Sequence, residues 1–225
     1  LLNRHGVEVV VPKKINCCGS LNHHLGKENS AHKEFKNNIL HWYDEYLKDG
    51  LDAIISNTSG CGTTIKDYGF IFRGDATLKK KAKKISELTK DISEYLNDNL
   101  KLDFKDNTKK VYKIAYHSAC SMQHGQKIHS KPIDLLKKTG NEILEIPDGH
   151  LCCGSAGTYN MLQAEIADKL LKEKVMNIEK IKPDIISTGN IGCITQIANG
   201  IKIPILHTIE ILDWYTGGPK PKILN

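Results

Sequence analysis

The tetrapeptide Cys-Cys-Gly-Ser occurs twice in this 225-residue chain, beginning at Cys17 and again at Cys152. In each half one further cysteine follows, Cys61 in the first and Cys193 in the second. Each of these directly follows a glycine and lies nine positions after an aspartate, Asp52 or Asp184. Two landmarks that recur in the same order with unequal spacing are typical of tandem copies of one domain. The chain is therefore expected to be an internal repeat in which cysteines bind a group.

Composition and charge restrict the classes of function. A chain of 225 residues suits one large or two small domains that bury a core without disulfides. Seven cysteines, an odd number, with no apolar signal segment at the start, favour a reducing cytoplasm. Charged residues interrupt the longest apolar stretch, 201–214, so no membrane-spanning segment is expected. The net charge of +6 comes with no recognition motif, so nucleic-acid binding is not expected.

The second half reads as alternating strands and helices. A β-branched and aromatic run predicts a strand that delivers His117 and Cys120 to the following loop. Another predicted strand precedes the Cys152-Cys153 loop, and a third precedes Cys193. The predicted strands are 111–116, 142–146 and 184–187, and the predicted helices are 131–139 and 160–179, the latter capped by Thr158. The fold class is therefore α/β, with small, mainly parallel sheets flanked by helices and cysteines on loops at one sheet edge.

The first half follows the same order but lacks an opening strand and a counterpart of Cys120. Its predicted elements are a strand at 7–11, a helix at 30–47 and a strand at 51–56. The missing part is expected upstream of Leu1, which makes the chain a fragment cut inside its first domain. The predicted domains are 1–75, an amino-terminally truncated first copy; 76–108, a helical linker with one or two lysine-rich helices at 76–100; and 109–225, the second copy. The boundary is placed at the polar turn 106–108.

The cysteine spacing bears on the bound group. Four thiolates could hold iron or zinc, but the chain has no Cys-x₂₋₄-Cys pair of the kind that structural zinc sites commonly use. Adjacent cysteines splay apart, which suits a polynuclear iron–sulfur cluster better than a single ion. Glycines after the second pair, such as Gly154, admit close backbone approach, and a helix start there would stabilise an anionic group. Buried inert thiols are the simpler alternative for any one cysteine, but the repeated pattern makes it a poor account of all seven.

Longer motifs around these cysteines resemble a known family. They are Tyr116-His-Ser-Ala-Cys120, His150-Leu-Cys-Cys-Gly-Ser-Ala-Gly-Thr-Tyr-Asn160, Thr188-Gly-Asn-Ile-Gly-Cys193 and Leu212-Asp-Trp-Tyr-Thr-Gly-Gly-Pro219. The chain resembles the CCG, or cysteine-rich, domain that occurs in tandem in iron–sulfur electron-transfer subunits. Heterodisulfide reductase, lactate-utilisation and glycolate oxidase (glycolate dehydrogenase) proteins share this domain, and the resemblance is strongest to the iron–sulfur subunits of the glycolate oxidase type. It covers essentially the whole chain.

The resemblance implies an iron–sulfur cluster, of the [4Fe–4S] type, bound by cysteines in each copy. The implied ligands are Cys120, Cys152, Cys153 and Cys193 in the second copy, and Cys17, Cys18 and Cys61 in the first, where one ligand is missing upstream. The broader family often ends in Cys-x₂-Cys, whereas Thr58 and Asn190 stand at the first of those positions here. The five-cysteine non-cubane cluster is therefore not expected. His117 and His150 are candidates for donating hydrogen bonds to the cysteine ligands, with structural loop histidines as the alternative.

The function that the resemblance implies is electron transfer within an oxidoreductase. A flavoprotein partner would oxidise glycolate, and this subunit would pass the electrons to a quinone or another membrane acceptor, without catalytic residues of its own. The expected location is cytoplasmic, either free or peripheral on the inner face of the plasma membrane. Three alternatives remain open: a lactate-utilisation subunit, a heterodisulfide-reductase-like subunit with thiol–disulfide chemistry, and a zinc-stabilised docking module.

Overall fold

The computed structural model of the chain describes residues 1–105 and 110–225. The predicted boundary turn at 106–108 lies outside the described residues. Helices flank two parallel sheets, one of two strands and one of four. The α/β class and the repeated architecture predicted from the sequence are therefore confirmed.

The first sheet pairs β1 (Ile54–Ser56) with β2 (Thr89–Asp91) in parallel. The helices around it are α1 (Ser20–His24), α2 (Glu28–Asp49), α3 (Ser59–Ile71), α4 (Lys79–Leu88) and α5 (Ile92–Asn99). The predicted strand at 51–56 and helix at 30–47 are thus present, with shifted ends.

The second sheet has the order β4-β3-β5-β6, all parallel. Its strands are β3 (Lys113–Tyr116), β4 (Glu142–Glu145), β5 (Ile185–Thr188) and β6 (Ile205–His207). Its helices are α6 (Lys131–Lys137), α7 (Tyr159–Leu162), α8 (Ala164–Lys180), α9 (Ile191–Ala198) and α10 (Thr208–Tyr215), and a π-helical turn occupies Ser121–Gly125. All three strands predicted for this half are confirmed.

The region 76–108 contains the two predicted helices, α4 and α5, and between them the short strand β2. β2 stands beside β1 as β6 stands beside β5. The two strands also end alike, because Asp91 caps α5 with Glu94 in a capping box and His207 caps α10 with Glu210 in another. This region therefore repeats the β6–α10 unit of the second half. The division of the chain at 75 and 108 stays a prediction.

The strand predicted at 7–11 is wrong, because these residues form no ladder. Val9, Val10 and Val11 are 44%, 52% and 77% exposed. The equivalent strand of the second half, β4, hydrogen-bonds to β3, and among the described residues no counterpart of β3 lies beside 7–11. An isolated strand has no partner for its backbone groups other than water, so the β-branched pattern alone does not produce one.

The helix predicted at 160–179 is also corrected, because it consists of α7 and α8 with a break at Gln163. Thr158 does occupy the N-cap position of α7, but its side chain makes no capping hydrogen bond. The capping role predicted for the Thr158 side chain is therefore wrong. In the described part of the chain, no helix is both long and apolar enough to cross a membrane.

Three groups of buried apolar side chains form the core. One lies between α2, α3 and α4 and includes Phe35 and Tyr68. Another joins Leu96 of α5 to the second sheet and to Trp214 of α10, so the two halves share a core. The third underlies the cysteine loops and contains Cys153 and Cys193 among residues of β3, β5, α8 and α9. Cys153 and Cys193 are therefore part of the packed interior and do not lie on exposed loops.

Asp184, which precedes β5, gives the fold a dependence on pH. Its carboxylate accepts a hydrogen bond of 2.8 Å from the backbone N–H of Lys113 and lies 3.4 Å from Lys110 Nζ. The bond from Lys113 lowers the pKa of Asp184. A lowered folded-state pKa contributes stability that is present at neutral pH and is lost as the pH falls through that pKa. Asp184→Asn is therefore expected to make stability less dependent on pH in the acid range.

The measurement is chemical unfolding of the metal-free protein from neutral pH down to about pH 3, near the ordinary carboxyl range. The exposed Asp168 on α8 provides the control, since Asp168→Asn should leave the acid profile as it is. If the free energy of unfolding of Asp184→Asn falls with decreasing pH as steeply as that of the wild type, the Asp184 carboxylate does not contribute to the acid dependence.

Candidate metal centre

Three adjacent strands of the second sheet bring the cysteines of this half together. β3 ends at Tyr116, and the loop after it carries His117 and Cys120. The loop after β4 carries Cys152 and Cys153, and Cys193 lies in the first turn of α9, just after β5. Parallel strands place their carboxyl ends at one edge of a sheet, and ligand sites of open α/β folds form there. The expected gathering of the four cysteines at one edge is what the structure shows.

The buried part of this group is compact. The sulfurs of Cys153 and Cys193 and a ring nitrogen of His117 lie within 4.8 Å of one another, and all three residues are buried. Cys120 and Cys152 are partly buried beside them, and Cys120 interacts with both Cys152 and Cys193. All four predicted ligands of the second half are therefore neighbours.

The four thiols perturb each other's protonation. Hydrogen bonding from Cys120 and Cys153, together with the Gly154 N–H at 3.3 Å, lowers the pKa of Cys152 to about 2. Hydrogen bonding from Cys153, together with the electrostatic effect of the nearby His117, lowers the pKa of Cys193 to about 5. The same contacts raise the pKa of Cys120 and of Cys153, since each donates to a neighbouring thiolate. Thiolates bind metals and thiols do not, so the lowered pKa values of Cys152 and Cys193 favour metal binding at this site.

His117, one of the two histidines predicted to lie beside the cysteine ligands, is brought into the group by the fold. Its side chain is 2% exposed, and neither ring nitrogen has a hydrogen-bond partner among the described residues. Buried polar groups without a partner are rare in folded proteins, and a bound ion is one explanation for such a group. Four clustered sulfurs and an unpartnered imidazole form a donor set that suits a thiolate-ligated metal group, so the residues present fit one.

His150, the other histidine predicted to lie beside the cysteine ligands, is exposed. The contact that the structure records for it is through its backbone, because Gln123 Nε2 donates to the His150 carbonyl at 3.5 Å. A role for the His150 ring stays a prediction.

Gly154 allows the paired cysteines to sit against α8. Its φ is +93°, and a Cβ placed on it would lie 2.5 Å from the backbone oxygen of Ala167. Only glycine combines that dihedral with that approach. The close backbone approach predicted for this glycine is therefore present, and it fixes the loop that carries Cys152 and Cys153.

The first half brings together the three cysteines that it has. Cys18 is buried, Cys61 is partly buried and Cys17 is exposed. Hydrogen bonding between Cys18 and Cys61 lowers the pKa of Cys61 and raises that of Cys18. The Tyr68 hydroxyl donates to the Cys18 carbonyl at 2.8 Å, and Asn38 Nδ2 donates to the Cys17 carbonyl at 2.8 Å. This site resembles the second one with one ligand fewer.

A hydrogen-bonded joint between the two halves was not foreseen from the sequence. Ser59 Oγ lies 2.7 Å from Ser121 Oγ and accepts a hydrogen bond of 2.9 Å from Asn190 Nδ2. Gln126 Nε2 donates to the Ser59 carbonyl at 2.9 Å. Ser59, Ser121 and Asn190 lie two, one and three residues from Cys61, Cys120 and Cys193. These hydrogen bonds therefore connect loops of both cysteine sites. The one sequence feature that pointed to this contact was Asn190, which stands where the broader family often has the first cysteine of Cys-x₂-Cys.

Asn190 also caps α9, because its Oδ1 accepts hydrogen bonds from the N–H groups of Gly192 and Cys193. We expect Asn190→Ala to destabilise the protein by about 2 kcal/mol, since a lost cap costs about 1 kcal/mol and lost side-chain hydrogen bonds cost about the same. Urea unfolding measures the change. Asn190→Asp keeps the capping acceptor and removes the donor to Ser59, so it should cost only part of that amount. Equal losses in the two variants would contradict a joint role in capping and joining.

Comparison with known proteins gives three informative relatives. The glycolate oxidase iron-sulfur subunit of Escherichia coli (strain K12) is 35% identical over 215 residues, which cover 95% of this chain and 52% of that protein. The probable glycolate oxidase iron-sulfur subunit of Bacillus subtilis (strain 168) is 30% identical over 94% of this chain and 49% of its own length. Lactate utilization protein A of Geobacillus sp. (strain WCH70) is 27% identical over 95% of this chain and 89% of its own length. The chain thus spans about half of the glycolate oxidase subunits.

The cysteine-rich domain model, named CCG, matches residues 1–66 and 114–198. The first segment contains Cys17, Cys18 and Cys61, and the second contains Cys120, the Cys152-Cys153 pair and Cys193. The two matches together cover more than half of the chain and coincide with the two cysteine sites described above. This chain therefore belongs to the cysteine-rich domain (CCG) family.

Proposed function

We propose that this chain is the iron–sulfur electron-transfer subunit, or part of it, of an oxidoreductase complex that oxidises glycolate. The observation that carries the proposal is the group at the sheet edge, where Cys153, Cys193 and His117 lie within 4.8 Å of one another and Cys120 and Cys152 interact with them. The relatives named as iron-sulfur subunits of glycolate oxidase support the same assignment.

In this proposal Cys120, Cys152, Cys153 and Cys193 hold a [4Fe–4S] cluster in the second half. Cys17, Cys18 and Cys61 are the proposed ligands of a second cluster in the first half. A bound cluster supplies one-electron storage at a potential that the protein tunes. Cys153 and Cys193 are buried, so the chain excludes water from that side, and the Gly154 N–H already donates to the Cys152 sulfur. Backbone donors to sulfur and partial burial are the means by which proteins adjust such potentials.

The partner in this proposal is a flavoprotein that oxidises glycolate, and the acceptor is a quinone or another membrane acceptor. The complex would work in the cytoplasm or on the inner face of the plasma membrane. No catalytic residue is assigned to this chain, because its clustered side chains are sulfur and imidazole donors and not a site for a hydroxy acid.

A lactate-utilisation subunit is the second candidate. The share of each relative's length that the match covers favours this candidate, because the chain spans 89% of lactate utilization protein A and about half of the glycolate oxidase subunits. The two candidates share the chemistry of this chain and differ in the partner that delivers electrons.

The test is anaerobic purification with analysis of iron, sulfide and zinc, and EPR spectroscopy before and after reduction with dithionite. Iron and sulfide with a signal that appears or changes on reduction are expected. Zinc without sulfide would instead support the docking-module alternative. Adding glycolate or lactate to the chain co-purified with its native flavoprotein partner then separates the two candidates, because only the true substrate should reduce the cluster.

A further inference from the structure

Lys174 is a buried lysine at the centre of α8. Its side chain is 1% exposed, and its Nζ donates to the backbone carbonyl of Asp148 at 3.1 Å. Among the residues that the structure describes, no carboxylate lies within ion-pair distance of this ammonium group. Lysine is almost never fully buried unless it is paired, because removing its charge from water costs several kcal/mol. Some other negative charge should therefore compensate it.

The loop that carries the paired cysteines lies beside this ammonium group, because the Asp148 carbonyl at the start of the loop accepts its hydrogen bond. Burial lowers the pKa of Lys174, and the neighbouring acidic groups Cys153, Cys152, Asp148 and Glu173 oppose this effect. The geometry agrees, because the loop 148–154 runs along α8. Gly154 packs on the Ala167 backbone at one end of the loop, and Lys174, two helical turns further on the same face, holds Asp148 at the other end. The ammonium group thus lies beneath the loop that carries the cysteine pair.

The first half shows that the fold does not need this cation. Phe35 occupies the equivalent position on α2, four residues before the buried Ile39, as Lys174 is four residues before the buried Ile178. Phe35 is fully buried and packs on the ring of Tyr68 with 4.8 Å between ring centroids. An apolar side chain therefore stands at the corresponding sequence position of the first half, where the second half has a buried lysine.

We infer that Lys174 is a built-in counter-cation for the second-half metal centre, which neutralises an anionic metal–thiolate group bound by Cys152 and Cys153 and raises its reduction potential. The effect on potential rests on the proposed iron–sulfur function, whereas charge compensation applies to any metal that these thiolates bind. Reduction by one electron from a reduced flavin adds one negative charge and makes or breaks no bond. A nearby fixed positive charge stabilises the reduced form more than the oxidised form.

The experiment compares Lys174→Met and Lys174→Gln with Lys172→Met, an exposed lysine on the same helix. Gln keeps a donor for the Asp148 carbonyl and removes only the charge. Redox titration monitored by EPR on the anaerobically purified protein gives the midpoint potential. Both Lys174 variants are expected to favour the oxidised form at least tenfold more than the wild type, a fall of 59 mV or more for one electron. Lys172→Met should leave the potential unchanged.

Two further measurements separate this role from a structural one. Urea unfolding should show a larger loss of stability in the metal-bound form of Lys174→Gln than in its metal-free form. Iron lost from both Lys174 variants, with metal-free stability unchanged, would also support the inference. An unchanged potential in Lys174→Gln with its iron retained, or equal destabilisation of both forms, would overturn it.

If the wild type contains no iron, the zinc affinity of the second site measures the effect of the Lys174 charge. Absence of iron and sulfide in the wild type would defeat the proposed function. In that case Lys174→Gln should still lower the affinity of the second site for zinc at least tenfold, whereas an unchanged zinc affinity would overturn the counter-cation role alone.

Discussion

Cys153→Ser is expected to abolish the second-half metal centre while the fold persists. Cys153 is 1% exposed, and its sulfur lies within 4.8 Å of both the Cys193 sulfur and a ring nitrogen of His117. A serine hydroxyl stays protonated at neutral pH and is a harder, weaker ligand for iron than a thiolate. We expect metal affinity at this site to fall by at least about 100-fold, more than the 10- to 100-fold typical of removing an outer partner of a ligand.

Iron and sulfide per chain, with EPR after dithionite reduction, measure the change. Cys17→Ser is the matched control, because Cys17 is an exposed cysteine at the corresponding pair of the first half. That variant should leave the signal of the second-half centre intact. Circular dichroism of both variants checks the fold. Full retention of iron, sulfide and the reduced signal in Cys153→Ser would rule out Cys153 as a ligand.

Gly154→Ala is expected to destabilise the protein by about 2–6 kcal/mol, the sum of a strain cost and an overpacking cost. The dihedral φ of +93° strains any residue with a Cβ, at a cost of roughly 1–3 kcal/mol. The new Cβ would also lie 2.5 Å from the Ala167 carbonyl oxygen and 3.2 Å from its carbon. These are backbone atoms of a helix, which cannot move aside as a side-chain tip can, and such overpacking adds roughly 1–3 kcal/mol. The same displacement should weaken metal binding, because the loop carries Cys152 and Cys153.

Gly140→Ala is the control for strain without collision. Gly140 has a φ of +78°, and no atom lies within 4 Å of the Cβ position. Its expected cost is about 1–2 kcal/mol, the steric penalty of a left-handed residue. Urea unfolding of the metal-free proteins compares the two variants. Equal losses at the two glycines would show that the contact with Ala167 contributes nothing.

Local patterns in the sequence were sufficient to predict the strands around the second site. The alternating or β-branched runs before Cys120, Cys152 and Cys193 predicted β3, β4 and β5, because each of these strands has neighbours that satisfy its backbone. The same kind of run at 7–11 remains irregular, since no described strand lies beside it. β2 and β6 were missed because a strand of three residues carries almost no periodicity of its own, whereas β1, equally short, was predicted from the longer run 51–56. Their pairing partners determine them.

The duplication, the α/β class and the edge at which the cysteines gather could all be predicted from the sequence, because they depend on local periodicity and on the chain direction of parallel strands. Which polar groups are buried without ordinary partners could not be predicted in this way. Nothing in the sequence distinguishes Lys174 from the exposed Lys172, or His117 from the exposed His150. The joint of Ser59, Ser121 and Asn190 likewise joins residues far apart along the chain. Burial and long-range contacts arise from packing of the whole chain, and removal from water is what gives these side chains their chemical effect.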